Sequence, residues 1–360
     1  MALLSREELE QSHISDLHAI ASELGIESYR RLRRDALIDA IVSGGRPDGE
    51  SSSAAPSGAP ARSGDEPRAS AEADRSDAST ADAEPEELRS GLLDILPNGS
   101  GFIRAEPFRQ SSDDVYVSPA QIRRCELRAG DTVEGPVRRP RRSERHPSLV
   151  RVDRVEGQPA DPPPKRPRFE DLTPTFARER VPAPDGFERT PFGKGSRVAI
   201  AGPPGAGTTT LLRRIAQGLA ASGDIELTVV LAGVRPEEVA EWRREEGLTV
   251  VGGSFDRSID ENAQTAELAV ERAKRAAEAG RHAAIVIDSL EALPTGAARR
   301  VFGAARATEE GGSLTVIAAC GVGGDLVRLA TTRIVLEPPD EGGAPRLAPS
   351  AGTLRADLLG

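Results

Sequence analysis

Residues 197–210 read RVAIAGPPGAGTTT, and this stretch decides the fold of the larger part of the chain. An apolar run from Arg197 to Ala201 gives way to a glycine-rich turn, Gly202-Pro203-Pro204-Gly205-Ala206-Gly207-Thr208-Thr209, and then to a helical pattern predicted to start near Thr210. Strand, loop and helix in that order make a P-loop, and every fixed position of G-x-x-x-x-G-K-[ST] is met except the lysine, where Thr208 stands. Backbone N–H groups of such a loop, with a helix N-terminus behind them, cradle phosphates without help from side chains. Thr208 removes the point charge on the β- and γ-phosphates, and a preorganised electrostatic contact of that kind is worth on the order of 3 kcal/mol. Thr209 remains as a hydroxyl for a magnesium ion, with Asp288, in the apolar run AAIVIDSL, as the matching carboxylate. Two readings stay open: weak nucleotide binding without efficient hydrolysis, and a strand-to-helix turn that binds nothing.

Outward from this loop, LTVVLAG, LTVVGG, AAIVIDSL and SLTVIAAC are continuous apolar runs of strand length that alternate with helical patterns. Such runs belong to parallel strands covered on both faces, so residues 190–360 are predicted as a doubly wound α/β domain. A proline-rich connector occupies residues 158–189. Residues 91–157 change to short β-type runs, GLLDIL, GFIRA, DVYVS, DTVEGPV and SLVRVDRV, with turn signals at Pro97-Asn98-Gly99 and Ala129-Gly130-Asp131. These predict a five-stranded small barrel. Residues 44–90 are an acidic linker of Ser, Ala, Gly, Pro, Asp, Glu and Arg. Residues 1–43 carry apolar positions at helical spacing, Leu17, Ile20, Ala21 and Leu24, then Leu37, Ile38 and Ile41. Gly25 separates two predicted helices, and Ile26 and Tyr29 close a small core beside the basic run Arg30, Arg31, Arg33 and Arg34.

Of the 360 residues only 38% are hydrophobic and 3% aromatic, which predicts one sizeable core together with disorder. A formal net charge of -10 excludes a uniform coat for nucleic acid, so any such site is a patch. Cys125 and Cys320, far apart and without a histidine cluster, exclude a disulfide framework and a zinc knuckle and read as packing residues. No apolar run approaches a bilayer span, and a soluble cytoplasmic protein without membrane contact is expected.

In the barrel, Phe102, Arg104 and Tyr116 fall on adjacent predicted strands, followed by Arg123 and Arg124. Aromatic faces stack on bases while arginines meet phosphates, so these residues fit a single-stranded RNA site; the same two aromatics fit a barrel core equally well. The run from Arg138 to Arg145 adds five arginines beside the barrel, either a solvated loop or further potential for RNA.

SDLHAIASELGIESYRRLRRDALIDAIV, GLLDILPNGSGFIR, DDVYVSPAQIRRCELRAGDTVEG, SERHPSLVRVDRVEG, RFEDLTPTFARERV, VRPEEVAEW, FDRSIDENAQTAELAVERAKR and FGAARATEEGGSLTVIAA together resemble the bacterial transcription termination factor Rho family over nearly all the chain but the linker. The resemblance implies a multidomain protein: a small helical N-terminal module, an OB or cold-shock-like β-barrel, and a RecA-like P-loop domain. It implies single-stranded RNA as ligand, through Phe102, Arg104 and Tyr116 with Glu144 and Arg145 nearby, and Arg123 and Arg124 from the barrel reading complete the candidate RNA-binding set. It implies ATP and magnesium at Gly202 to Thr210 and Arg235, with Thr209 and Asp288 on the metal. RNA polymerase or a genuine Rho subunit are the implied protein partners, and a homo-oligomer stays open.

The departures from the family are concentrated in the ATPase half. Thr208 replaces the P-loop lysine, Val234 stands where the resemblance places a water-activating glutamate, and Leu354 takes the arginine-finger position, with Arg355 next to it. Leu347 stands where an aromatic packs on adenine. Ser100 and His146 replace two aromatics of the RNA site. The two loops that reach RNA in the ring channel are absent, after DSLEALPTG and after IAAC. The expectation is a Rho-like RNA-binding modulator of termination with impaired hydrolysis; the alternative is an active RNA-dependent ATPase and helicase.

Overall fold

The computed structural model describes residues 87–141, 144–339 and 343–359, together with Leu17, Ala21, Leu37, Ile38 and Ile41. The chain divides into two compact units, Met1–Ala78 and Ser79–Gly360. In the first, the five described residues are helical and buried in one apolar cluster. The rest of the predicted helical module, and the predicted linker as far as Glu86, lie outside the described residues.

In the second unit the barrel comprises β1 (Glu87–Ile95), β2 (Gly101–Arg104), β3 (Val115–Val117), a short helix α1 (Pro119–Arg124), β4 (Thr132–Arg138) and β5 (Ser148–Leu149). β1 pairs with both β2 and β4, β3 with β2 and β5, and β5 with β4, so the five strands close on themselves. Closure removes exposed edges and turns one side of each strand inward. Leu93, Ile103, Val115, Val117, Val133 and Val137 fill the interior with Cys125. β1 begins at Glu87 rather than at Gly91, because Leu88, Arg89 and Ser90 continue the ladder with Pro136, Gly135 and Glu134. That ladder is made by backbone groups and has no need of apolar side chains. The last predicted strand is interrupted after β5 and resumes as β6 (Arg154–Val155), which pairs with β4 and turns into β7 (Gln158–Pro159). Helix α1 starts on a capping box: the Ser118 hydroxyl accepts from the Gln121 N–H at 3.3 Å, and the Gln121 side chain accepts from the Ser118 N–H at 3.0 Å.

The connector contributes β8 (Pro174–Thr175) and β9 (Arg180–Val181), and β9 pairs with β10 (Phe192–Gly193) at the start of the next module. The α/β module follows as β11 (Arg197–Ala201), α2 (Thr208–Ser222), β12 (Ile225–Val234), α3 (Pro236–Arg243), β13 (Thr249–Ser254), α4 (Ile259–Glu278) and β14 (His282–Asp288). It ends with α5 (Thr295–Gly303), β15 (Arg306–Thr308), β16 (Ser313–Cys320), α6 (Asp325–Leu329), β17 (Thr332–Val335) and β18 (Gly352–Thr353). The central strands run parallel in the order β13-β12-β14-β16-β11-β17. Five of these are the apolar runs read from sequence. The sixth, β17, escaped because TRIV alternates and exposes Arg333.

One face of the sheet is covered by α4 and α5, with Phe169 and Phe302 in the core; α2 and α3 cover the other, with Trp242. Burial on both faces is why the strands read as unbroken apolar runs. Burial pushes the Cys320 thiol up to about 12, and both cysteines are free. Among the described residues no helix is long and apolar enough to cross a membrane.

The barrel docks on α4. Gly130, in a left-handed conformation (φ 82°), lies directly on the backbone of Glu271 and Arg272, leaving no room for a Cβ. Arg272 donates to Glu156 at 2.7 Å, Arg128 pairs with Glu278 at 3.1 Å, and Arg166 clamps Asp131 at 2.5 Å.

Candidate functional sites

The P-loop joins the end of β11 to α2. Gly205 and Gly207 take positive φ values of 81° and 87°, which a side chain would oppose. Gly207 is the N-cap of α2 and supplies no side chain to the helix's unpaired N–H groups. The helix starts at Thr208 rather than Thr210, so Thr208, Thr209 and Thr210 form its first turn. Strand β14 is two positions from β11 in the sheet, a separation of about 10 Å. The loop spans that gap, and the Thr209 hydroxyl donates to the Asp288 carboxylate at 3.0 Å. Burial pushes the Asp288 carboxyl above its ordinary range, opposed by the Thr209 hydrogen bond and reinforced by the charge of Glu238. A hydroxyl and a buried carboxylate fit a magnesium ion, whose remaining ligands would be phosphate and water. Among the described residues no three metal-binding side chains converge elsewhere.

Glu238 is the carboxylate that the sequence reading overlooked. It lies on the first turn of α3, where it accepts from the Arg235 backbone N–H and guanidinium, both at 3.0 Å. The signal was present in R-P-E-E, with proline at a helix start and an acid placed to cap it. Arg235 is thereby turned toward its own helix. Val234 is buried at the end of β12 as a member of the α2-side core. Pro345 is also buried and packs on the loop: a Cβ on Gly207 would come within 2.6 Å of its Cγ. Leu347, half-buried, bridges Leu336 behind the same loop. Leu354 and Arg355 lie beside Ser196 and Arg197, at the opposite end of β11. That strand spans about 17 Å, so neither residue approaches the P-loop of its own chain.

In the barrel, Phe102 and Tyr116 are direct cross-strand partners with ring centroids 5.8 Å apart, edge to face. His146 adds a third ring 5.1 Å from Phe102. All three are half-buried and line a cleft of about 580 Å³ with Gln121, Arg138, Glu144 and Arg145. They stand outside the barrel core. Glu144 accepts from Arg138 at 2.7 and 2.8 Å and from the Arg141 N–H at 3.0 Å, and these hydrogen bonds lower its pKa to about 2. Arg145 is exposed on the rim, and Arg123 and Arg124 are exposed in the last turn of α1.

Arg104 requires correction as a free phosphate contact. It is 5% exposed, paired with Asp114 at 2.6 Å and with Asp94, and its guanidinium lies 5.7 Å from the Phe102 ring. Two nearby carboxylates hold the cation at the barrel wall, beside the Phe102 ring. Ser100 is buried and donates to Asn98 at 2.7 Å in the turn before β2. His146, counted as a loss in the sequence, keeps an aromatic edge in the cleft.

A closed barrel with an aromatic cleft, docked on a doubly wound sheet that carries a P-loop, defines a two-module protein of the nucleic-acid-binding barrel and P-loop class. The family model for the RNA-binding domain of the Rho termination factor matches residues 89–161, and that for its N-terminal domain matches residues 8–43. Transcription termination factor Rho of Aquifex aeolicus (strain VF5) is 35% identical, over 88% of this chain and 73% of its own length. The Rho of Neisseria gonorrhoeae is 34% identical over 86% and 75%, and that of Escherichia coli (strain K12) 33% over 86% and 75%. The chain belongs to the Rho transcription termination factor family. A solved type III secretion ATPase of pathogenic bacteria matches with TM-score 0.43 and 18% identity, over 52% of this chain and 65% of that one, a likeness too slight to establish a shared fold.

Proposed function

We propose that this chain is a Rho-family modulator of transcription termination that binds single-stranded RNA in the barrel cleft and hydrolyses ATP poorly. The observation that carries the reading is the cluster of Phe102, Tyr116 and His146 at the mouth of a cleft rimmed by Arg145. Aromatic rings that reach a cleft stack on bases regardless of sequence, and the rim arginine supplies the phosphate contact. In this reading residues 91–157 form the RNA-binding domain, 158–189 the connector and 190–360 the nucleotide domain.

The P-loop domain supports nucleotide binding through backbone groups of Gly202 to Thr210, with Thr209 and Asp288 as the residues that would hold magnesium. The ion would neutralise phosphate charge. Thr208 contributes a hydroxyl where the reaction calls for a cation, and Val234 contributes none of the basicity needed to orient water. The competing reading, an active RNA-dependent ATPase, is favoured by the intact Thr209–Asp288 hydrogen bond and by Glu238 beside it.

The deciding measurement is ATP turnover by the purified full chain with and without poly(C), beside RNA affinity measured for the same preparation. RNA binding without stimulated turnover is expected. Turnover that rises with RNA and disappears in Asp288→Asn would replace this reading with the active motor, and absence of RNA binding would remove the barrel's role.

A further inference from the structure

A second cavity, of about 210 Å³, opens at the end of the sheet remote from the P-loop. Its floor is the start of β11, and Phe176, Arg197, Arg306 and Arg355 contribute to its lining, with no aspartate or glutamate among the described residues that line it. Arg197 donates to the backbone carbonyls of Ala305 at 2.7 Å and Leu329 at 3.2 Å and has no carboxylate partner among the described residues. Arg306 also lacks one: it donates to the Ala304 carbonyl at 3.3 Å and lies 4.8 Å from the Phe169 ring. Burial, and then the charge of Arg306, pushes the Arg197 guanidinium below its ordinary range. Two partly buried like charges without a counter-charge are costly, and an anion between them relieves both the desolvation and the repulsion.

The remaining features narrow the anion. Guanidinium groups arriving from separate strands suit a group with several oxygens, and the planar fork of arginine matches phosphate. The cavity is several times the roughly 30 Å³ that one water molecule occupies in the liquid, so it takes an organic substituent as well. Phe176 is 42% exposed, with the Arg355 guanidinium 5.8 Å from its ring. We propose that this cavity binds a nucleotide unit, with Arg197 and Arg306 on the phosphate and Phe176 stacked on the base. The site shares no residue with the barrel cleft or the P-loop, so it stands apart from the function proposed above.

The test is calorimetric titration of the full chain with uridine monophosphate, uridine, inorganic phosphate and a uridine trinucleotide. Binding of the monophosphate or of the trinucleotide is expected; the first identifies a free nucleotide as the source and the second an RNA strand. Arg306→Gln should weaken binding about tenfold or more. Phe176→Ala, at an exposed position that does not threaten folding, should weaken the monophosphate while leaving inorganic phosphate unchanged. Thr209→Asp, which places a negative charge in the P-loop, and Tyr116→Ala in the barrel should leave this binding intact. Binding abolished by Thr209→Asp or Tyr116→Ala but untouched by Arg306→Gln and Phe176→Ala would overturn the proposal. So would failure of both the monophosphate and the trinucleotide to bind.

Discussion

The barrel cleft and the P-loop are two sites built on opposite principles. The cleft is a side-chain site: Phe102 and Tyr116 project from a ring of strands whose backbone is occupied by its own ladder, and Arg145 and His146 join them from the segment between β4 and β5. The P-loop is a backbone site, shaped by positive φ at Gly205 and Gly207 and by the start of α2. Replacing single side chains therefore retunes the cleft by degrees, as at His146, which still supplies a ring. Threonine in place of lysine at position 208 leaves the loop's shape intact while removing its charge. Shape and chemistry separate in the second site and cannot separate in the first.

The largest expected effect tests whether the two regions depend on each other at all. Gly130→Val should destabilise the docked unit by about 3 kcal/mol, since a side chain meets the α4 backbone at a left-handed position. Urea unfolding would register this as a lowered midpoint, or as a separate transition for the barrel. A cooperative transition at the parental midpoint would show that the interface contributes nothing.

Thr208→Lys returns the missing charge to an intact cradle, and about 1.5–3 kcal/mol of phosphate affinity, the worth of a hydrogen bond to a charged group, should come with it. Equilibrium ATP binding would show the gain, and no gain would mean that Pro345 over Gly207 keeps the loop from its ligand. Adding Val234→Glu places a carboxylate at a buried core position and should lower stability at the same time. In the barrel, Phe102→Ala and Tyr116→Ala should each weaken RNA by about 1–3 kcal/mol, the worth of one stacked base. Filter binding with short single strands measures it, and unchanged affinity would move the RNA site elsewhere.

A smaller contrast concerns acid. Burial raises the Asp288 pKa, so its ionised form disfavours the fold, a cost that sets in as pH rises through the unfolded-state value. Asp288→Asn should therefore stabilise the protein by about 1 kcal/mol at neutral pH while removing the carboxylate proposed to hold magnesium. The gain should vanish in acid, and thermal unfolding across pH follows it. Glu144 behaves oppositely: with its pKa lowered to about 2 by Arg138, its pairing holds above about pH 4.5 and is lost as pH falls through about 2. Acid titration monitored by nuclear magnetic resonance should place the carboxyl transition near that value.

The architecture was legible wherever burial imposes a pattern. Continuous apolar runs declared the parallel strands because both faces are covered, and the glycines of residues 202–207 declared the loop because only a narrow backbone geometry turns a strand into a helix there. β17 and the upstream part of β1 were illegible, since their pairing is made by backbone groups beneath polar side chains. Helix α1 and the cap at Glu238 were written in short local codes, S-P-x-Q and R-P-E-E, that apolar periodicity does not sample.

The chain's own sequence determined its family, its parallel sheet, its five-stranded barrel and the loss of the P-loop cation, because each is a property of residue type along a strand, a turn or a motif. Only the tertiary structure decided that Arg104 is held at the barrel wall by Asp94 and Asp114, that Thr209 meets Asp288 across β16, and that Arg197 and Arg306 share a cavity without a counter-charge. Charges act through distance and dielectric rather than through order along the chain. Their partners exist only once strands remote in sequence lie side by side.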